Sequence, residues 1–117
     1  MTMSSVIYSS ISIVMLAMSV GCNHAHRVVN TGDSMLYAVT VQSGEQKFGH
    51  GYLPPKAVKG YSGSMKIVRT PAPVVSWKTA EGGPSVVQEV KLESNPGCRE
   101  VVFEIDGKTA KGIIRDR

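Results

Sequence analysis

Few residues in this chain have the chemistry for catalysis or metal binding: three histidines (His24, His26, His50) and two cysteines (Cys22, Cys98). A cysteine beside a histidine is the smallest arrangement for thiolate catalysis, because the imidazole takes the thiol proton. His50, in Gly49-His50-Gly51, and Cys98 are the candidates for such a pair. His24-Ala25-His26 offers two nitrogen donors, and Cys22-Asn23-His24 would add backbone nitrogens for copper or nickel if its amine were free. Neither set comes with supporting residues. His24 and His26 fall in a stretch expected to be a solvated tether, which cannot hold ligands rigidly. His50 is expected to be an exposed or cross-strand histidine on a glycine-loosened strand. There is no Gly-x-Ser-x-Gly, no His-Glu-x-x-His and no phosphate-binding glycine loop. Asp33 and Asp106 sit in turn sequences rather than in a cluster of hard-cation ligands. The expectation is a non-enzymatic protein with no catalytic residues, no metal site, no cofactor and no small-molecule substrate.

What positions these residues is a chain of two physical parts. It has 117 residues, the length of one domain, and a formal net charge of +4 from 13 Lys and Arg against 9 Asp and Glu. Residues 1–26 contain none of those charged side chains. Val6 to Val20 is apolar but interrupted by serines, and it is shorter than the roughly 20 residues of a membrane-spanning helix. It has the pattern of a secretory signal. Ser19-Val20-Gly21-Cys22 follows and resembles the lipobox of bacterial lipoproteins. The resemblance implies cleavage before Cys22 and a lipid on its sulfur, which anchors the chain to a membrane. Asn23, where an inner-membrane retention signal has Asp, implies the outer membrane, with the protein on its periplasmic side. The expected division is a signal peptide over 1–21, a lipidated tether over 22–27 and a folded domain over 28–117. If Cys22 is acylated, Cys98 is left as an inert, half-buried thiol at the start of a strand.

The folded part reads as strands. Met35 to Gln42 alternates, with Met35, Tyr37, Val39 and Val41 on one face. Ser43-Gly44 is a two-residue turn, and Glu45 to Tyr52 returns with Phe48 and Tyr52 on one face. Leu53-Pro54-Pro55 ends that strand. Ala57 to Ser62 reads as an edge strand protected by Lys56 and Lys59. Pro73 to Thr79 puts Val75 and Trp77 inward, and Trp77 is the expected centre of the core. Ser85 to Glu93 turns Val86, Val90 and Leu92 inward. Arg99 to Ile105 does so with Val101, Phe103 and Ile105, and Asp106-Gly107 is a hairpin turn. No window after residue 27 has helical periodicity over ten residues. Seven or eight short strands about ten residues apart predict a single antiparallel β-sandwich, an all-β fold. Asn30-Thr31-Gly32-Asp33-Ser34, Tyr37-Ala38-Val39-Thr40-Val41 and Gly51-Tyr52-Leu53-Pro54-Pro55 resemble bacterial immunoglobulin-like envelope domains, which implies that type of sandwich.

Basic residues are spread along the chain without interleaved aromatics, which argues against nucleic acid. The expected role is to bind a protein in the cell envelope through a sheet edge or loops. The sharpest form is an immunity protein against a toxin delivered to the periplasm, such as a phospholipase. The alternatives are an assembly lipoprotein of an envelope or secretion complex and a phage or plasmid exclusion lipoprotein. The expected contact residues are His50, Tyr52, Lys56, Lys59 and Tyr61. They combine tyrosine, glycine and an edge strand, a composition common at contact surfaces.

Overall fold

The computed structural model describes residues 23–116, so the expected signal peptide and the expected lipidation of Cys22 lie outside the described residues. Eight strands follow in order: β1 (His24–Asn30), β2 (Leu36–Ser43), β3 (Gln46–Leu53), β4 (Val58–Gly63), β5 (Val74–Lys78), β6 (Ser85–Glu89), β7 (Glu100–Ile105) and β8 (Ala110–Arg115). They build two four-stranded sheets packed together, β4-β1-β7-β8 and β3-β2-β5-β6. The all-β, sandwich-like expectation holds in that form. Its antiparallel description needs one correction, because β1 pairs with β7 in parallel, Val28 opposite Phe103. The two strands are far apart in sequence, and the second sheet lies between them along the chain, which supplies the long crossover that a parallel pair needs.

Residues 24–27 are a strand and not a tether. β1 is hydrogen-bonded to β4 on one side and β7 on the other, which makes it an interior strand. Its inward positions are His26, Val28 and Asn30, all fully buried. Asn30 is buried because its amide is satisfied. Nδ2 donates to the carbonyls of Ser34 (2.7 Å) and Leu53 (2.9 Å), and Oδ1 accepts from the Gly32 amide (2.9 Å).

The predicted face of β2 is half right. Val39 and Val41 are buried, but the third core residue is Leu36, not Met35 or Tyr37. The reason is a bulge. Pairing with β3 slips between Leu36 and Val39 and again between Val39 and Thr40, pairing with β5 slips between Tyr37 and Thr40, and Ala38 takes φ +50°. One extra residue moves every side chain beyond it to the opposite face. β3 does the same at Gly51 (φ +73°), opposite Val39. Thus Phe48 and His50 point inward before it, and Leu53 after it, while Tyr52 turns out.

The core joins Leu36, Val39, Val41, Leu53, Val75 and Trp77 of one sheet to Val28, Val101, Phe103 and Ile105 of the other. Met65 and Ile67, in the non-strand segment after β4, close one part of it, and Val90 and Leu92, past the end of β6, close another. Leu92 and Val90 lie so close over Gly112 that a Cβ there would sit 2.7 and 2.9 Å from their side chains. Trp77 is fully buried, as expected, and its Nε1 donates to the Gly107 carbonyl at 3.1 Å. That bond holds the β7–β8 turn, where Asp106 Oδ1 accepts the Lys108 and Thr109 amides. These two bonds, Thr109's first, hold the Asp106 carboxyl below its ordinary value.

Candidate functional site

Two clusters stand apart from ordinary packing. The first is a pair of histidines between the sheets. His26 comes from β1 and His50 from β3, so each sheet supplies one. Their Nε2 atoms are 2.9 Å apart. His26 is fully buried and His50 nearly so. Tyr61 stacks on the His26 ring at 5.4 Å, while Phe48 and Phe103 meet it edge-on, both at 6.1 Å. Burial, and then the adjacent His50, push His26 down to about 4. Burial, and then the Lys59 charge, hold His50 below its ordinary value. Both rings are therefore neutral at pH 7, and one donates Nε2–H to the bare Nε2 of the other. His26 Nδ1 is buried with no hydrogen-bond partner. Among the described residues, no three His, Cys, Asp or Glu side chains come together as a metal group.

The second cluster is on the outside of the other sheet. The paired bulges at Ala38 and Gly51 turn Tyr37 and Tyr52 outward, and their rings meet edge to face at 5.6 Å. Tyr52 is 56% exposed, the highest of the aromatic side chains described. Both tyrosines line a depression with Lys78, Glu81 and Gly82. A non-glycine residue at positive φ is uncommon, and such strain concentrates at functional sites.

The five expected contact residues do not form one surface. Tyr52 is on the outer face with Tyr37. His50 and Tyr61 face the opposite way, into the histidine cluster. His50 is thus a buried inter-sheet residue rather than an exposed one, because the strand phase before the Gly51 bulge aims it inward. Lys59 reaches across the sheets and donates from Nζ to the His50 carbonyl at 3.1 Å. Lys56, at φ +64°, donates to the Thr31 carbonyl at 2.8 Å and pairs with Asp33 at 3.5 Å. The edge position expected for this stretch holds for β4, which ends its sheet.

A Cys–His catalytic pair is not assembled. Cys98 is exposed and disulfide-bonded, so the reading of a half-buried free thiol is corrected. It lies in the turn before β7 rather than on the strand, where Arg99 N donates to the Pro96 carbonyl at 3.0 Å. His26, expected in a solvated tether, is instead buried against His50, and Tyr37 is the site residue that the sequence did not single out. The period-two run His26, Val28, Asn30 was the available signal for the first, masked by two polar members. Nothing short of the bulge marks the second.

The fold and these clusters define a small two-sheet β-sandwich with a histidine bridge inside and a tyrosine pair outside. No family model and no curated protein matches the chain. Among solved structures it is similar to the NMR structure of a protein from Eubacterium rectale, with a TM-score of 0.52 and 12% identity, covering 82% of this chain and 91% of that one. At that identity the likeness extends to the fold alone.

Proposed function

We propose that this chain is an exported, non-enzymatic lipoprotein, held through Cys22 on the periplasmic side of the outer membrane, that binds a protein partner through its Tyr37–Tyr52 face. One observation carries the binding reading: two tyrosines turned out of a sheet by paired bulges, beside Lys78 and Glu81. Aromatic side chains with few rotatable bonds give contact area at low entropic cost, and a charged rim adds orientation. An immunoglobulin-like type of sandwich accords with the buried tryptophan and the two four-stranded sheets. The sharpest form of the role is immunity to a periplasmic toxin.

Export is supported by the disulfide at Cys98, since such bonds persist in oxidising compartments. The anchor makes a further demand. The chain has two cysteines, so a lipid on the Cys22 sulfur and a Cys22–Cys98 bond exclude one another. The disulfide at Cys98 thus supports export and not the lipid itself.

The test is a photo-crosslinking amino acid placed at position 52 in producing cells, and at exposed position 113 as a control. A discrete protein adduct from 52 and none from 113 supports the binding face. Equal adducts from both, or none from 52, overturn it. Fatty-acid labelling that is lost in Cys22→Ser supports the anchor. An unlabelled monomer with an internal disulfide overturns the anchor and leaves the binding face standing.

A further inference from the structure

We propose that β6 is the seat of a homodimer: two copies of this chain join antiparallel along their β6 edges, with Val87 on the twofold axis, into one continuous sheet. The edge strands of the sandwich are β4, β8, β3 and β6. A free edge invites pairing, and lysines, bulges and prolines discourage it. β4 carries Lys59, β8 carries Lys111 and Arg115, and β3 carries Lys47 and the Gly51 bulge. β6 reads Ser-Val-Val-Gln-Glu, and its pairing with β5 runs without a shift. It holds no lysine, arginine, proline or bulge. Val87 is 65% exposed, the most of the exposed large hydrophobic side chains described.

The β6 backbone offers its free groups in the right phase. Val90, just beyond β6, donates its N–H to the Pro73 carbonyl just before β5. Backbone groups alternate sides along a strand, so those of Val86 and Gln88 also face β5. Those of Ser85, Val87 and Glu89 face the open edge. An antiparallel pair centred on Val87 sets Val87 against Val87, and Ser85 against Glu89 at both ends. That register engages all the open residues of each copy, and residues directly opposite exchange both bonds. On the outer face the two exposed valines cover one another.

Charge selects a second copy and its direction. Val75 and Trp77 of β5 are buried, so Val74, Ser76 and Lys78 face outward with Ser85, Val87 and Glu89. Within one chain Lys78 is opposite Ser85, and Val74 is opposite Glu89. In the dimer each Glu89 therefore faces the second copy's Ser85, with the second copy's Lys78 on the next strand. Two strand spacings put those charged residues about 10 Å apart at their Cα atoms, across a small serine. Extended lysine and glutamate side chains span that distance, and the twofold axis makes the pairing twice. Among the described residues, neither Lys78 nor Glu89 is in an ion pair within its own chain. A parallel arrangement would instead put Glu89 beside Glu89, which is unfavourable.

Tyr37 is opposite Lys78 on the other side of β5, and Lys78 lines the tyrosine depression. The dimer thus brings a carboxylate of the second copy to the rim of each Tyr37–Tyr52 depression and sets both depressions on one outer face. One strand edge and one valine pair make a contact below the usual interface size, so the dimer is weak and concentration-dependent.

The experiment uses the protein purified from producing cells in mild detergent, with its disulfide intact. Sedimentation gives its mass, and residue-resolved amide hydrogen exchange is followed as protein concentration rises from micromolar to millimolar. The expected result is that monomer gives way to dimer. The amides of Ser85, Val87 and Glu89 slow in step, while those of Val86 and Gln88, already turned to β5, do not change. Val87→Lys is expected to stay monomeric throughout. Glu89→Lys is expected to weaken association by about tenfold, and Lys78→Glu/Glu89→Lys to restore it. A monomer at millimolar concentration overturns the proposal, even if the edge takes a strand from another protein. So does a dimer whose Ser85, Val87 and Glu89 amides exchange at the monomer rate, or one that Val87→Lys leaves intact. The wild-type exchange pattern decides the matter even if a variant fails to fold. The test is independent of any partner at the tyrosine face.

Discussion

The side chain of Gln88 takes the place of a strand beside Ala110: its Oε1 accepts the Ala110 amide at 2.9 Å and its Nε2 donates to the Ala110 carbonyl at 2.6 Å. Gln88 is on β6 and Ala110 opens β8, the last strands of the two sheets on one side of the sandwich. On the other side, His26–His50 and Lys59 to the His50 carbonyl link β1 and β4 to β3. Both open sides of the sandwich are therefore tied between sheets by polar side chains.

Gln88→Ala removes both bonds and leaves two partly buried backbone groups unpaired. The expected cost is about 1–3 kcal/mol, measured by urea denaturation. Gln88→Glu keeps an acceptor for the amide but sets a carboxylate against the Ala110 carbonyl. It is expected to be destabilised at neutral pH and to recover as pH falls through the glutamate range.

Trp77→Ala is expected to cost about 3–5 kcal/mol, because the indole fills the core and its loss leaves a cavity. Trp77→Phe keeps much of the apolar area, so the lost bond to Gly107 adds about 1 kcal/mol to a smaller packing cost. Trp77 is the chain's one tryptophan, so its fluorescence maximum reports burial directly. An emission maximum of water-exposed indole in the native protein contradicts the placement.

Stability is expected to fall in mild acid. His26 titrates at about 4 in the folded protein against 6.5 ordinarily. Between those values the unfolded chain binds more protons, so unfolding stability rises with pH. The contribution is complete above about pH 6.5 and is lost as pH falls toward 4, reaching about 3 kcal/mol for His26 alone. His50 shifts in the same direction. Urea midpoints at pH 7.5, 6 and 5 check this. In His26→Phe the slope between pH 7.5 and 5 is expected to flatten.

The bulges predict substitutions of opposite sign. Ala38→Gly relieves a φ of +50° and is expected to stabilise the fold by up to about 1 kcal/mol. Gly51→Ala meets open space, since no atom lies within 4 Å of its Cβ position. Its cost is conformational and is expected to be about 1–2 kcal/mol. Thermal melts of both variants check the pair.

Much of the sandwich was determined by sequence alone. Period-two alternation in Arg99 to Ile105 identifies β7 and its inward face, because one buried side of a sheet admits only alternate residues. Asp106-Gly107 places the β7–β8 turn, where Gly107 adopts φ +97°. Val75 and Trp77 place the core face of β5. These are local signals, and each needs only its own neighbours to act. Tertiary structure alone decided the rest. β1 is a strand because β4 and β7 supply ladders on either side of it, although two of its three inward residues are polar. The phase of β2 and β3 depends on bulges that form only when the two strands meet, which is why Leu36 replaced Met35 and Tyr37 in the core. His26 and His50 are 24 positions apart and belong to different sheets, so no spacing rule pairs them. Their neutrality and their bond arise from a buried environment that exists only once the two sheets have closed over them.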